Sequence, residues 1–364
     1  MVQPVSGGWQ RAATMSTPRD NFTATVLQNG KVLLAGGQVP DPIGLQAGTM
    51  EVDMFDPSTM TVTAGYMSSW RTGHTATLLP SGKVLVAGGS VYPGGTSLAS
   101  AELYDPATNL WTSVASMPSP RSHAAAVLLT DGRVLVVGGS SNGSNPPGAE
   151  IYDPPSDTWS SVVGIPGDTR PYTPTATRLP DGKVLIVGGS DNPQEAIADQ
   201  ADIFDPVTGS ISVSRFRPVG GGRIGATATL LGDGTVIIVG GQGPLGDGNT
   251  TDIYDPSAEA CTAVNCSAFS AGPRTNDAHC DHTATLLTSG LLLVVGGQCG
   301  ASSPTTSSEL YDPGAKKWSP ASQPSDPRAL AAAGLLQDGR VLVAGGVLTG
   351  GQSFVSSIEI YTPA

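Results

Sequence analysis

One short segment, Asn276-Asp-Ala-His-Cys-Asp-His282, holds the side chains of this chain that are best suited to metal chemistry. Imidazole and thiolate are common ligands of zinc and copper, so a metal set of His279, His282, Cys280 and Cys299 is one interpretation. The odd spacing of the two histidines argues against it, because successive residues of a strand point to opposite faces. No cofactor is assigned from this pattern, and Ca, Cu, Fe or Zn stays open as an alternative.

The four cysteines of the chain fall into two close pairs. If Ser289-Gly290 is a two-residue hairpin turn, Cys280 faces Cys299 across the strand pair, at a separation that a disulfide can span. Cys261 and Cys266 lie five residues apart and form the second pair. Two disulfides are therefore the favoured prediction. They indicate an oxidising compartment, extracellular or periplasmic, for a mature chain without its signal peptide.

Basic side chains recur at equivalent places before successive strand pairs. In a chain with a net charge of −12 and only 18 lysines and arginines, this basic ring is the clearest local charge asymmetry. Its members are Arg19, Arg71, Arg121, Arg223, His279 and Arg328, with Arg170 one residue out of register. Guanidinium groups suit carboxylate, sulfate or phosphate, so ligand contact is one interpretation. Pairing of each arginine with an acidic residue of its own or the next repeat is the alternative.

The elements that must position these residues form a repeat of about 50 residues. A Gly-Gly doublet follows an apolar strand at Gly36, Gly88, Gly138, Gly188, Gly240, Gly296 and Gly345. Each doublet ends a hairpin and is followed by a polar loop, an acidic residue two before an aromatic, and a strand often marked by Trp. The acids are Asp53, Glu102, Glu150, Asp202, Asp252, Glu309 and Glu359. Because an acid is present in every repeat, structural hydrogen bonding is the predicted role.

A Gly-Gly doublet, a Tyr-Asp-Pro turn such as Tyr104-Asp-Pro106, and a spaced Trp such as Trp111 together resemble the Kelch repeat. The resemblance covers essentially the whole chain. It implies an all-β, seven-bladed β-propeller of four-stranded blades, in which the first strand of each blade lines the central channel. Kelch adaptors grip acidic peptides with arginines near the basic ring, and related plant proteins bind sulfated small molecules, so the resemblance implies an anion-facing mouth.

The two ends of the chain predict how the propeller closes. The last repeat stops after its third strand, and residues 8–14 resemble an orphan fourth strand. We therefore expect one domain spanning residues 1–364, in which this N-terminal strand completes blade seven, residues 328–362. Galactose oxidase shares the Kelch propeller, but its copper radical site of tyrosines, histidines and a cysteine-crosslinked tyrosine cannot be placed in this sequence.

Large side chains also occupy some positions just inside the basic ring. They are Phe22, His74, Pro174 and His282, with His123 and Tyr172 nearby, whereas blades five and seven offer only Ala226 and Ala331. This unevenness favours a site, because a purely structural ring should be uniform. We expect a binding module for an anionic or polar ligand at this mouth, contacted by the basic ring together with Phe22, His74, His123, Tyr172 and His282.

The alternative is an enzyme acting on a sugar or small metabolite at the same mouth. Its acid-base residues would be His74, His123, His282 and Tyr172, possibly with a metal held by histidines, because the pKa of imidazole lies near neutrality. The expected partner is an acidic peptide, a glycan or a small molecule bound by a monomer. The acidic composition excludes a general nucleic-acid binder, and no apolar run is long enough to insert into a membrane.

Overall fold

The computed structural model is a seven-bladed propeller built from the predicted repeats. It describes residues 7–40, 46–91, 95–144, 146, 148–162, 173–189, 200–214, 216–243, 248–261, 266–300, 302–348 and 353–364. Each blade is built on an antiparallel sheet of four strands, and the strand that begins each repeat is innermost. The innermost strands contact one another in sequence, and the last returns to the first, so the blades close into a ring.

The strand bounds are as follows. Blade one comprises β2 Thr23–Val26, β3 Val32–Ala35, β5 Gln46–Asp56 and β6 Thr61–Arg71, with β4 Gln38–Pro40 added beside β5. Blade two comprises β7 Thr75–Leu78, β8 Val84–Ala87, β11 Ala101–Asp105 and β12 Leu110–Val114, with a small hairpin of β9 Ser90–Val91 and β10 Thr96–Ser97. Blade three comprises β13 Ala125–Leu128, β14 Val134–Val137, β15 Ala149–Asp153 and β16 Thr158–Val162.

The remaining blades follow the same order. Blade four comprises β17 Thr175–Arg178, β18 Val184–Val187, β19 Ala201–Asp205 and β20 Ser210–Val213. Blade five comprises β21 Thr227–Leu230, β22 Val236–Val239, β23 Thr251–Tyr254 and β24 Phe269–Ala271, with a 3₁₀ helix at Pro256–Ala260. Blade six comprises β25 Thr283–Leu286, β26 Leu292–Val295, β27 Ser308–Asp312 and β28 Lys317–Pro320. Blade seven comprises β29 Ala332–Leu335, β30 Val341–Ala344, β31 Ser357–Thr362 and β1 Gly8–Thr14. No helix of the described residues is long and apolar enough to cross a membrane.

The core lies between the blades rather than within a single sheet. The second strand of every blade, such as Val84–Ala87, is buried along its whole length, because both of its faces pack against neighbouring sheets. Buried side chains form one cluster at each interface between neighbouring blades. Apolar residues throughout the second strand are therefore required, which explains the Val-Leu-Val runs before each doublet.

The predicted closure by the N-terminal strand is confirmed. β1 pairs antiparallel with β31, and Trp9 lies opposite Tyr361, with ring centroids 5.3 Å apart. The indole N–H of Trp9 donates to the carbonyl of Ser322 in blade six, at 2.7 Å. Residues more than 300 positions apart in the chain thus complete blade seven and join it to its neighbour.

The hairpin turns differ in one detail from the prediction. The turn after β25 has three residues rather than two, because Leu287 and Leu291 are paired around it and Gly290 has a positive φ of 84°. Pairing in this hairpin is therefore shifted by one residue, and Gln298, not Cys299, donates its backbone N–H to the carbonyl of Cys280. The disulfide nevertheless forms from the adjacent position, with Cα atoms 5.0 Å apart.

Candidate functional site

Each described arginine of the basic ring lies just before the first strand of a blade and is buried in an ion pair with the acid of that blade. Arg71 is the last residue of β6, and its Nε and Nη2 donate to the carboxylate of Glu102 in blade two at 3.1 and 3.0 Å. Its Nη1 donates to the carbonyls of Gly88 and Ser100, and the side chain is fully buried. The carboxylate of Glu102 in turn accepts the backbone N–H of Ser68, which lies on the strand entering the blade. The predicted structural role of the repeated acid is confirmed here.

The same pairing recurs around the propeller. The pairs are Arg19–Asp53, Arg121–Glu150, Arg223–Asp252, His279–Glu309 and Arg328–Glu359. Each basic side chain is at most 3% exposed. The structure thus shows acid pairing for the described members of the ring. Arg170 lies outside the described residues.

Backbone hydrogen bonds join the Gly-Gly doublet of one blade to the basic-ring residue of the next. The N–H of Gly37 donates to the backbone carbonyl of Arg71 in the next blade, at 2.8 Å. The same bond is made by Gly89, Gly189, Gly241, Gly297 and Gly346 to the ring residue of the following blade. Glycine is required because φ is positive, and because a Cβ at Gly36 would lie 2.6 Å from the Arg71 carbonyl oxygen. The sequence analysis did not predict this contact. The doublets and the basic residues recur with the same period of about 50 residues, and this shared period could have indicated it.

A belt of residues with positive φ surrounds the channel at one mouth. Its members lie just before the innermost strands and have φ between 45° and 69°: Asn21, Gly73, His123, Thr173, Gly225, Asp281 and Leu330. Backbone N–H groups donate around the belt to the preceding member, from Gly73 to Asn21, His123 to Gly73, Asp281 to Gly225, Leu330 to Asp281 and Asn21 to Leu330. A left-handed backbone at Thr173 and Leu330 is unusual, since only Gly, Asn and Asp adopt it readily. Sequence reasoning missed the belt, because its residue types vary.

A cavity of about 260 Å³ opens at this belt, on the side of blades one to five. The side chains of Asn21, Phe22, His74, His123 and Thr173 line it. The imidazole of His123 lies directly over Gly73, where a Cβ would fall 2.8 Å from the ring. The structure therefore brings Phe22, His74 and His123 together as predicted, with Pro174 beside them, whereas His282 is not part of this lining. Tyr172 lies outside the described residues.

Comparison with known proteins agrees with this architecture. The Kelch motif model matches residues 71–118, 121–164 and 280–325, in blades two, three and six. These repeats are Kelch motifs. The fold of this Kelch propeller is similar to that of a solved structure described as a novel fungal alcohol oxidase with catalytic diversity among the AA5 family, in complex with copper. The TM-score is 0.78 at 18% identity, over 98% of this chain and 76% of that chain. A comparison with the curated proteins finds no match.

Burial lowers the pKa of three histidines of the Kelch propeller, namely His74, His123 and His282. Burial, followed by the charge of Arg71, lowers the pKa of His74 to about 3, and its Nε2 lies 3.1 Å from the hydroxyl of Thr23 in blade one. Burial also lowers the pKa of His123, and it lowers that of His282 well below the ordinary value, with His279 as the next cause. A general acid or base works best with a pKa near the operating pH, so His74 and His282 are poorly suited to proton transfer at pH 7.

The predicted metal set does not fit this structure. Cys280 and Cys299 form a disulfide, as do Cys261 and Cys266, so neither candidate sulfur is available as a thiolate ligand. Among the described residues, no three His, Cys, Asp or Glu side chains are placed to hold a metal ion. The set of His279, His282, Cys280 and Cys299 is therefore wrong, and these residues do not reproduce a copper site.

The expected orientation of two histidines is also corrected. His279 and His282 were expected on opposite faces of a strand, but their ring centroids lie 5.6 Å apart. Asp281 explains this, because its φ of 53° interrupts the strand geometry between them. The Nδ1 of His279 contacts the carbonyl oxygen of Gly296, whereas Nε2 of His282 lies 2.8 Å from the hydroxyl of Thr227. Each ring is thus engaged by protein groups.

A buried carboxyl beneath the mouth gives a pH-dependent prediction. Asp20 is 2% exposed, and burial raises its pKa to about 7, opposed in part by a hydrogen bond with Asn21. Its neutral form is therefore favoured in the folded state, so its contribution to stability decreases as pH rises from about 4 to about 7. We expect Asp20→Asn to raise the free energy of unfolding by about 2–4 kcal/mol at pH 8 and to leave it unchanged at pH 3.5.

Thermal unfolding of Asp20→Asn across this pH range measures the effect. Ser160→Ala, at an exposed position of β16 in blade three, removes no titratable group and is the control, which should show no such pH-dependent difference. A stabilisation by Asp20→Asn that is the same at both pH values would show that Asp20 does not titrate as its burial implies.

Proposed function

We propose that this Kelch propeller is a binding module that recognises a polar ligand at the mouth cavity. The observation that carries the proposal is the cavity of about 260 Å³, in which Asn21, His123 and Thr173 surround an opening with Phe22 and His74 beneath. Small-molecule sites are concave and place a few polar groups among apolar ones, as this lining does. The cavity is confined to one part of the belt, which matches a site assembled from particular blades.

A polar rather than strongly anionic ligand is favoured. The described arginines of the basic ring are buried in ion pairs, and the net charge of −12 disfavours polyanions at long range. The imidazole, amide and hydroxyl groups of His123, Asn21 and Thr173 suit a glycan residue or a polar peptide side chain. We propose that the module acts as an extracellular or periplasmic monomer, since its two disulfides are typical of oxidising compartments.

The enzyme alternative has less support. A fold likeness to an alcohol oxidase does not carry an activity to this chain, because different chemistries share one fold. The lowered pKa values of His74 and His282 and the disulfide at Cys280 remove most of the groups that such chemistry would use. Binding without turnover is therefore the function that the described residues support best.

The four histidines provide a direct test of ligand binding. Protein labelled with ¹⁵N-histidine should give imidazole signals that His→Gln variants assign. We expect galactose or N-acetylglucosamine to shift the signals of His123 and His74, and a strongly anionic hexaglutamate peptide to shift them less. The signal of the fully buried His279 should stay in place, and His123→Gln should weaken binding at least tenfold. Absence of any shift with all three probes, or equal shifts at His279, would overturn the proposal.

A further inference from the structure

Asp281 of the belt places a carboxyl at the edge of the mouth cavity. Its backbone N–H donates to the carbonyl of Gly225, at 2.8 Å, and Gly225 belongs to the lining of the cavity. A Cβ on Gly225 would fall 3.0 Å from the carboxyl carbon of Asp281, so the carboxyl lies over this glycine. His123 lies over Gly73 in the same way. The two glycines of the belt are thus covered by an imidazole and by a carboxyl.

The carboxyl of Asp281 makes neither a hydrogen bond nor an ion pair within the described part of the chain. By contrast, Glu309, the repeated acid of the same blade, is paired with His279. Burial raises the pKa of the Asp281 carboxyl, and no cation among the described residues opposes this shift. The left-handed backbone does not require an acid here, because the belt also holds Thr173 and Leu330. A partly buried carboxylate without a cation costs folding free energy, so a partner from outside the fold would account for its presence.

The described residues around the cavity supply no cation for this carboxyl. No Lys or Arg belongs to the described lining. Arg223 and Arg328, which lie just before the first strands of blades five and seven, are each paired with the acid of their own blade. The lining adds an acceptor instead, because Oγ1 of Thr173 is buried without a hydrogen-bond partner among the described residues. Thr173 and Asp281 are the belt residues of blades four and six, on either side of Gly225 in blade five.

We propose that the mouth cavity recognises a protonated primary amine, whose ammonium group pairs with the carboxylate of Asp281. The inference rests on the proposed function of the mouth as a ligand site, and it adds the charge of the ligand. An ammonium group has three N–H donors and no acceptor, so it matches a carboxylate together with the hydroxyl oxygen of Thr173. A net charge of −12 also attracts cations to the chain at long range.

Two matched pairs of probes test the proposal and distinguish the two sources of such an amine. Galactosamine is compared with galactose, and Nα-acetyl-lysine amide is compared with Nα-acetyl-norleucine amide, which lacks the ammonium group. Dissociation constants are measured by isothermal titration calorimetry at pH 7. We expect at least one amine to bind at least tenfold more tightly than its neutral partner. The pair that shows this preference identifies the ligand as an amino sugar or as a lysine side chain.

Asp281→Asn removes the charge and keeps the shape of the side chain, and Asn readily adopts a left-handed backbone. It should reduce the preference for the amine to less than twofold and leave the affinity for the neutral partner unchanged. The melting temperature of the unliganded variant should equal or exceed that of the wild type, because no bond within the described residues is lost. Asp181→Asn removes an exposed carboxylate from the turn between β17 and β18, and as the control it should leave the preference unchanged.

The outcomes separate this inference from the proposed function. Equal affinities within both pairs of probes, or a preference for the amine that survives Asp281→Asn, would overturn the inference. If galactose still shifts the imidazole signal of His123 in that case, the proposed function stands without it. A melting temperature of Asp281→Asn well below that of the wild type would also overturn the inference, since the carboxyl would then stabilise the fold itself. Absence of binding by all four probes would overturn both.

Discussion

Deletion of residues 1–16 is expected to abolish cooperative folding, although it removes under a twentieth of the chain. The deleted segment contains β1, which supplies the fourth strand of blade seven. Its loss exposes the edge of β31 and the rings of Tyr361 and its neighbours, and it uncovers the cluster around Ile358 and Ile360. The free energy of unfolding of a whole domain is only about 5–15 kcal/mol. We expect the loss of an entire strand and its interface to cost more than this. An exposed strand edge also promotes aggregation.

The measurement is solubility together with thermal unfolding followed by circular dichroism. Trp9→Ala is a milder variant that keeps the strand but removes the ring packed on Tyr361 and the bond to Ser322, and it should lower the melting temperature while leaving one cooperative transition. A double substitution Gln10→Thr and Arg11→Thr changes only exposed positions of β1 and serves as the control. Soluble protein with residues 1–16 deleted that melts cooperatively at the wild-type temperature would refute closure by this strand.

Arg71→Met is expected to destabilise the propeller by about 3–5 kcal/mol. The substitution leaves the carboxylate of Glu102 buried without its cation, and it removes the donors to the carbonyls of Gly88 and Ser100. Breaking a buried pair by removing one partner is costly because the remaining charge is uncompensated. For a chain of this length, the loss corresponds to a fall of about 4–7 °C in melting temperature.

Two further variants separate this cost from a general effect of removing charge. Arg133 pairs with Asp131 at the surface and is 33% exposed, so Arg133→Met should change stability by less than about 1 kcal/mol. The double variant Arg71→Met with Glu102→Gln should recover part of the loss, because the neutral amide still accepts the N–H of Ser68. Equal effects of Arg71→Met and Arg133→Met on stability would contradict the structural role of the basic ring. They would favour the alternative that its arginines contact the ligand.

The repeats made most of the fold accessible from the sequence. Doublets such as Gly88-Gly89 need positive φ and close approach of the next blade, so their period marks each blade directly. The acidic residue two positions before each aromatic correctly indicated a structural hydrogen bond. A residue type that is present in every blade is expected to stabilise the blade itself. Closure by residues 8–14 followed from a missing fourth strand at the other end. In each case the information is local and is repeated along the chain.

Only the tertiary structure decided the contacts of the candidate site residues. A guanidinium group suits an anionic ligand and a buried carboxylate equally well, and only the contact between Arg71 and Glu102, which lie 31 residues apart, distinguishes the two. The positive φ of Asp281 brings His279 and His282 together, and a strand pattern cannot show such a local reversal. The mouth cavity is lined by residues of blades one to five, which lie far apart in the chain. Sequence therefore determined the repeated architecture, whereas the departures that build sites depend on contacts between distant residues.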